Sequence, residues 1–580
     1  MTPPLSIRSC SLDIGSLLDK EAESLQSILS KISENRLIVI DESIRKQIEY
    51  LNVLENSESV ITLSRDPISC DRETVVFICP ALVRSCRLVG YQIKQLKKDN
   101  KSLQFHIILN PEKTMMCSQC LREENALENV TFHSLKMHLL PLEEDLISQE
   151  VGNSFSRLTV KRDRTLFPSI FNAITQIQGI SGGINEFHAI GERADSLLEV
   201  IQKQKIAFQR QEAENKPPIR HFILFDRSVD LTSLFVTPLT YEGLIDDVLG
   251  ISLGATSVPS SMIGGRDDEK KEVALNNDSF VFTDLRNKNI CMIPQTLQDK
   301  LYETQQETNQ AMAEGKKIPS KQDVFDQLLM HQGIAEALTG ITTGYKFRQR
   351  WQMEHEILVG EQLLDYVAER ITLQDSLESV LRLLALHSLV NGGLKEKEFN
   401  TVRKELIQTY GYENMVLLYN MELAGVLTKR DGGKNYSAIR NKLQLVRDVD
   451  GQNESEMQYL TSGYAPISAR LIELLLKNGR LPADVTRLVG CDYNHTVMQT
   501  PKKKESEEKE LVVVYFLGGV TMLEIAALRY LESRKDFPYT ILIATTDITN
   551  GNKVLMELKG EAPLKLPVVQ SEAEGNSALL

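Results

Sequence analysis

The sequence predicts an α/β chain with an all-α insertion: two parallel-sheet α/β domains, the second discontinuous, with a helical domain inserted between its two parts. Three observations lead there. Up to about residue 150, short β-branched and apolar runs alternate with helical stretches. The strong strand His221–Phe225 finds its counterparts, Leu511–Phe516 and Tyr539–Ala544, only near the end of the chain. Between them, from about residue 270 to 448, the pattern reads as helix. A chain of 580 residues also exceeds one ordinary hydrophobic core.

In the first region the strand candidates are Arg36–Ile40, Val60–Leu63, Thr74–Cys79 and Phe105–Leu109, with Val130–Leu135 closing the sheet. Runs that are apolar nearly throughout suit strands buried on both faces, as in a parallel sheet covered by helices. These elements predict a first domain over 1–148. A mainly helical stretch from about Arg157 to Arg210 then leads to His221–Phe225, giving a first part of domain two over 149–246. Domain three is expected over 247–380, and the second part of domain two over 381–560. Residues 255–271, rich in Ser, Gly and charge, read as a loop, as does the mixed-charge run 499–509. A Pro-, Glu- and Ser-rich tail over 561–580 completes the layout.

The insertion contains an unusual helix. Ile293, Leu297 and Leu301 keep helical spacing, but Glu303–Gln310 is polar on every face, so this stretch meets solvent or a partner. The chain turns at Gly315-Lys316-Lys317-Ile318-Pro319 and returns through Val324, Phe325, Leu328 and Leu329, which predicts a helical hairpin.

A net charge of −13 argues against nucleic acid, whose binding needs a basic footprint, and against broad contact with anionic lipid. Any membrane association is therefore expected to be indirect. Eight cysteines and a start without a basic and then apolar leader read as a cytosolic chain with reduced thiols. The longest apolar run, Leu511–Val520, is far short of the roughly 20 residues that span a bilayer.

Sites of chemistry are few. Cys117-Ser118-Gln119-Cys120 is a CxxC pair with no second pair at zinc spacing, and His133 and His138 fit no standard finger. Neither a metal site nor a redox helix start is expected there. Phe516-Leu517-Gly518-Gly519-Val520-Thr521 ends a strand and opens a helix, where glycines can cradle phosphate. It matches neither GxGxxG nor GxxxxGK[ST]. The simpler reading is a tight turn with Thr521 and Glu524 forming a capping box. Asp226 and Asp230 are read as structural caps. No catalytic constellation stands out, so neither an enzyme nor a cofactor is expected; the alternative is an α/β enzyme that binds a nucleotide at Gly518-Gly519.

Asp226-Arg227-Ser228-Val229-Asp230 and Pro238-Leu239-Thr240-Tyr241-Glu242-Gly243-Leu244-Ile245-Asp246-Asp247 together resemble the signature of the Sec/Munc (SM) family of SNARE regulators. Leu140-Pro141-Leu142-Glu143-Glu144-Asp145-Leu146, Gly463-Tyr464-Ala465-Pro466 and Phe516–Thr521 with Glu524 resemble further landmarks of that family. The sequence departs from the family pattern at Ser233, where a proline is expected, and at Thr237-Pro238. It also lacks a Leu-Pro near Leu328-Leu329.

The resemblance implies a three-domain arch and a non-enzymatic subunit of the HOPS and CORVET tethering complexes. Such a subunit holds SNARE proteins, templates their assembly for membrane fusion, and sits peripherally on late endosomes, lysosomes or vacuoles, and early endosomes. It also implies docking to the C-terminal helical region of vacuolar protein sorting-associated protein 16; a smaller two-protein endosomal complex is the alternative. Gln305, Gln306, Gln310, Lys316, Lys317 and Phe325 are the expected SNARE-facing residues. Tyr436, Ile439 and Leu443, one helical stripe after the expected turn Asp431-Gly432-Gly433, are the expected tether contacts, although such a stripe also suits a core.

Overall fold

The computed structural model describes residues 6–7, 12–54, 59–99, 102–204, 216–263, 265, 269–276, 279–313, 320–430, 435–447, 456–498 and 509–560. They gather into two compact units. One is Leu18–His138; the other is Leu139–Gly560 together with the described residues up to Leu17. At the start of the chain, β1 (Ser6–Ile7) pairs with β2 (Leu12–Asp13).

The smaller unit is built on five strands: β3 (Arg36–Ile40), β4 (Ser59–Thr62), β5 (Thr74–Pro80), β6 (Gln104–Asn110) and β7 (Val130–Ser134). They pair in the order β4-β3-β5-β6-β7, all parallel. Their apolar runs do what the sequence suggested: β5 is buried from Thr74 to Cys79. Cys117 and Cys120 belong to the same core, 1% and 3% exposed. Contrary to expectation they do lie at a helix start, because Thr114 caps the helix Met115–Glu123 by accepting from the Cys117 amide.

The larger unit holds a seven-stranded sheet. Its strands are β8 (Leu140–Glu143), β9 (Leu146–Ser148), β10 (Ile184–Ile190), β11 (Ile219–Asp226), β14 (Tyr493–Val497), β15 (Glu510–Leu517) and β16 (Tyr539–Thr545). The order is β14-β10-β11-β15-β16-β9-β8, parallel except for the two antiparallel edges, β14 and β8. An apolar cluster covers one face, with Phe187, Phe222, Val513 and Leu542 against the helix Phe167–Ile180.

Four expectations are corrected here. Leu140–Ser148 does not close the first domain; β9 pairs with Ile543–Thr545, so the break falls at Leu139. The stretch from Arg157, expected to be mainly helical, also contains the strand β10, which the expectation lacked. The edge strand β14 was also missed. Finally, 255–271 is not a loop: β12 (Ala255–Pro259) and β13 (Lys270–Ala274) form an antiparallel hairpin, which also interrupts the supposed all-helical span. The run 499–508 and the tail 561–580 lie outside the described residues.

Helices fill the insertion. Ile293–Ala313 and Ser320–Thr343 pack against each other, followed by Tyr345–Val359, Leu364–Thr372 and Leu377–Val390. The return limb has no Leu-Pro break and runs as one helix of 24 residues, about 36 Å at 1.5 Å per residue. Among the described residues, no helix is long and apolar enough to cross a membrane.

Candidate functional site

Three motifs far apart in sequence meet in one buried charge network. Arg227, at the end of β11, is fully buried. Its Nη1 donates to Glu524 Oε2 at 2.5 Å and its Nη2 to the Asp230 carbonyl. Asp230 accepts from the Ser233 amide and hydroxyl and from the Ser468 amide, at 3.1, 2.7 and 2.9 Å. Glu524 also accepts from Ser468 Oγ at 2.5 Å and from the Thr521 amide and hydroxyl at 3.0 and 2.9 Å. Burial works against the Arg227 charge, yet Glu524 and Asp230 outweigh it and hold its pKa above the usual arginine value. Ser233, standing where a proline was expected, also shares a 3.2 Å hydrogen bond with Tyr464.

A second network joins the Leu140–Leu146 motif to the Tyr241 helix. Glu242 binds Arg286 at 2.5 Å and Arg529 at 3.1 Å; Arg286 reaches Glu143 at 3.2 Å and Arg529 reaches Asp145 at 2.6 Å. Burial would raise the Glu242 pKa, but the two arginines prevail and it stays below the usual carboxylate range. A third set ties the helical insertion to this body. Asp247 pairs with Arg382 at 2.6 Å, and Glu354 accepts from the Thr237 amide and hydroxyl at 3.0 and 2.9 Å. Thr237, just before the departure at Pro238, thus satisfies a buried carboxylate. The helix that follows is capped by Thr240, which accepts from the Gly243 amide. No side chain fits at Gly243, where a Cβ would stand 2.7 Å from Pro238 Cβ.

The Gly518-Gly519 turn is structural. Both glycines have positive φ, +96° and +101°, which L side chains rarely adopt. A Cβ at Gly519 would meet Thr549 Cγ2 at 2.7 Å, and one at Gly518 would meet Arg227 Cβ at 3.0 Å. The capping box predicted for Thr521 and Glu524 is present. Those side chains occupy the amides that a phosphate would need.

One open surface lies in the helical insertion. A cavity of about 850 Å³ is bounded by the end of the return limb and the three helices after it. Val248, Ile341 and Tyr345 stand exposed along it, at 38%, 38% and 78%. Arg350 and Arg370 supply charge, and the Arg370 guanidinium lies 4.9 Å from the Tyr366 ring centroid. Sequence reasoning did not find this groove. Ile341 and Tyr345 belong to two successive helices separated at Gly344, and the opposite wall comes from further helices.

Of the residues expected to face a SNARE, Gln305 and Gln306 are exposed on the outgoing limb and Phe325 is half-buried on the return limb. Ile293 and Leu297 are buried beneath. The Gln310 side chain, Lys316 and Lys317 lie outside the described residues. The tether stripe is corrected: Tyr436, Ile439 and Leu443 are 5%, 3% and 3% exposed, so they hold their helix to the body rather than offering a free face. The turn 431–434 before them lies outside the described residues. An exposed apolar stripe does occur nearby, at Tyr412, Met415, Val416, Tyr419 and Leu423.

Comparison with known proteins agrees with this layout. The family model described as the Sec1 family matches residues 23–557. The vacuolar protein-sorting-associated protein 33 homolog of Arabidopsis thaliana is 28% identical, over 94% of this chain and 97% of the relative. Vacuolar protein sorting-associated protein 33A of Rattus norvegicus is 29% identical, over 94% and 98%. Among solved structures, the Unc18–syntaxin 1 complex from Monosiga brevicollis matches with a TM-score of 0.58 at 15% identity, covering 94% of this chain and 99% of that one. The SM protein Vps45 in complex with the Qa SNARE Tlg2 matches at 0.57 and 12%, covering 94% and 97%. Sly1p in complex with an N-terminal peptide of Sed5p matches at 0.56 and 15%, covering 94% and 98%. The chain therefore belongs to the Sec1 family and has the SM-protein fold.

Proposed function

We propose that this chain binds SNARE motifs and promotes their assembly for vesicle and organelle fusion, as the SM subunit of the HOPS and CORVET tethering complexes. The observation that carries the reading is the partly apolar groove beside the helical hairpin, set on a body locked by buried charge. An amphipathic SNARE helix suits such a groove, with apolar anchors inside and a polar rim. The vacuolar sorting names of the relatives and the SNARE partners named with the solved SM structures support the same reading. The protein acts as a regulator, without cofactor chemistry; the filled Gly518-Gly519 turn speaks against the nucleotide-binding alternative. Its partners are SNARE proteins, the C-terminal helical region of vacuolar protein sorting-associated protein 16 and the other HOPS and CORVET subunits. It reaches endosomal and lysosomal or vacuolar membranes through them, and it binds no nucleic acid.

The test is SNARE-motif binding by the full chain, alongside Ile341→Asp/Tyr345→Asp and Lys316→Glu/Lys317→Glu variants. Central anchors each contribute more than about 1 kcal/mol, so the groove double variant should lose roughly tenfold or more in affinity. Equal binding by both variants and the parent would sink the reading. The tethering part is tested separately, by whether the intact chain co-purifies with large tether subunits.

A further inference from the structure

On the face of the seven-stranded sheet opposite its main apolar cluster, three side chains serve none of the networks above. Glu186 and His188 alternate along β10 with Phe187 and Ala189, which pack in that cluster. His221 of β11 stands beside Glu186 in the parallel register. Glu186 Oε2 lies 3.7 Å from His188 Nε2 and 3.7 Å from His221 Nδ1, and those two nitrogens are 3.0 Å apart. Bonds of about 2.0–2.2 Å to a tetrahedral ion require donor atoms roughly 3.3–3.6 Å apart, so this triangle fits one face of that tetrahedron with small adjustment.

We propose that Glu186, His188 and His221 form a binding site for a single zinc-class divalent ion. Two imidazoles and one carboxylate are the ligand types that favour zinc over magnesium or calcium, which take oxygen ligands. Both imidazoles are buried, His188 at 0% and His221 at 2% exposure, so an ion held there would be shielded from solvent. The remote nitrogen of His188, Nδ1, shares a 3.0 Å hydrogen bond with Tyr493 Oη, the kind of outer contact that fixes a ligand's tautomer. The ion would replace the hydrogen bond between the two rings, leaving the His221 proton on Nε2. Arg220 lies 3.1 Å from Glu186 Oε1, leaving Oε2 directed at the two rings. With Arg480 it adds positive charge that a weakly held ion could not overcome. His495, opposite His188 on the edge strand β14, has its ring centroid 6.1 Å away and is the candidate fourth ligand, with water as the alternative. Binding would thus pin β14 to the sheet.

The full chain, stripped with chelator and then titrated with zinc chloride or cobalt chloride, tests this. One equivalent should bind, cobalt should give the visible absorption of a tetrahedral site, and amide exchange over Tyr493–Val497 should slow. Glu186→Gln and His221→Gln should each weaken binding by about tenfold or more, whereas Cys117→Ser should not. Glu186 is half-buried, so its variant carries the test should His221→Gln fail to fold. Absence of stoichiometric uptake overturns the proposal, and so does uptake undiminished in Glu186→Gln, which would put the ion elsewhere.

Discussion

Replacing Glu524 with alanine removes the acceptor on which the Arg227 network closes. Four donors lose a partner at once: Arg227 Nη1, Ser468 Oγ, and the Thr521 amide and hydroxyl. Each neutral donor left buried costs about 1–3 kcal/mol. Those losses are not independent, because Thr521 can turn its hydroxyl to other acceptors and Asp230 still holds part of the Arg227 charge. The dominant cost is a guanidinium with no exposure and half its compensation gone. Breaking one partner of a buried ion pair typically costs roughly 3–5 kcal/mol. Urea unfolding followed by the fluorescence of Trp351, the single tryptophan, reads the unit concerned, since Trp351 lies in the helix Tyr345–Val359. Glu524→Ala should lower the unfolding free energy by that amount, and Glu524→Gln, which keeps one oxygen acceptor, by less. A loss under about 1 kcal/mol for the alanine variant would refute the claim that this network holds the three motifs together.

Gly243→Ala forces a methyl group to within 2.6 Å of Thr240 Oγ1 and 2.7 Å of Pro238 Cβ; a loss of roughly 1–3 kcal/mol is expected, and a neutral result in thermal melts would contradict the tight packing. Burial raises the Glu557 pKa to about 7, against the opposing pull of the Ser156 amide and Lys553. An unfolded glutamate titrates near 4.3, so between about pH 4.3 and 7 the folded chain keeps a proton that the unfolded chain has released. Stability therefore falls as pH rises through that window, and Glu557→Gln should flatten the fall; parallel pH profiles of the urea midpoint for parent and variant would contradict it. Among the described residues, the buried Tyr436 hydroxyl has no hydrogen-bond partner. Tyr436→Phe should therefore leave stability unchanged or raise it, whereas Tyr436→Asp should unfold its unit, and a phenylalanine variant destabilised by more than about 1 kcal/mol would argue that the hydroxyl has a partner after all.

The parts of the fold legible in the sequence were those whose signal is local. β3, β5 and β15 carry nearly continuous apolar runs, and a run of that kind is a strand buried on both faces wherever its partners come from. β10 was lost because Asn185, Glu186 and His188 interrupt its apolar pattern; Glu186 and His188 alternate with Phe187 and Ala189 and so face away from the main cluster. β9 fell inside the expected first domain, 1–148, because its partner Ile543–Thr545 lies at the far end of the chain. The stripe at Tyr436, Ile439 and Leu443 shows the limit of periodicity. Helical spacing identifies the face that avoids water, and a core and a partner satisfy it equally. The groove at Ile341 and Tyr345 was illegible for a related reason: its walls come from separate helices, and only their juxtaposition makes a cavity.

The segments that make the family recognisable are therefore not the segments to which its function is assigned here. Asp226–Asp230, Gly463–Pro466 and Gly518–Glu524 meet around one buried guanidinium, joined by hydrogen bonds that cross between segments. Removing any single member strands the rest in a low-dielectric interior, so the motifs are readable only as a set. Ser233 fits the same logic, because this departure brings its own hydrogen bonds, to Asp230 and Tyr464. Groove residues such as Tyr345 carry no such constraint, being held by little and facing solvent. Variants of the buried set should lose folding and binding together, while groove variants should lose binding alone, and that separation is what distinguishes scaffold from surface in this chain.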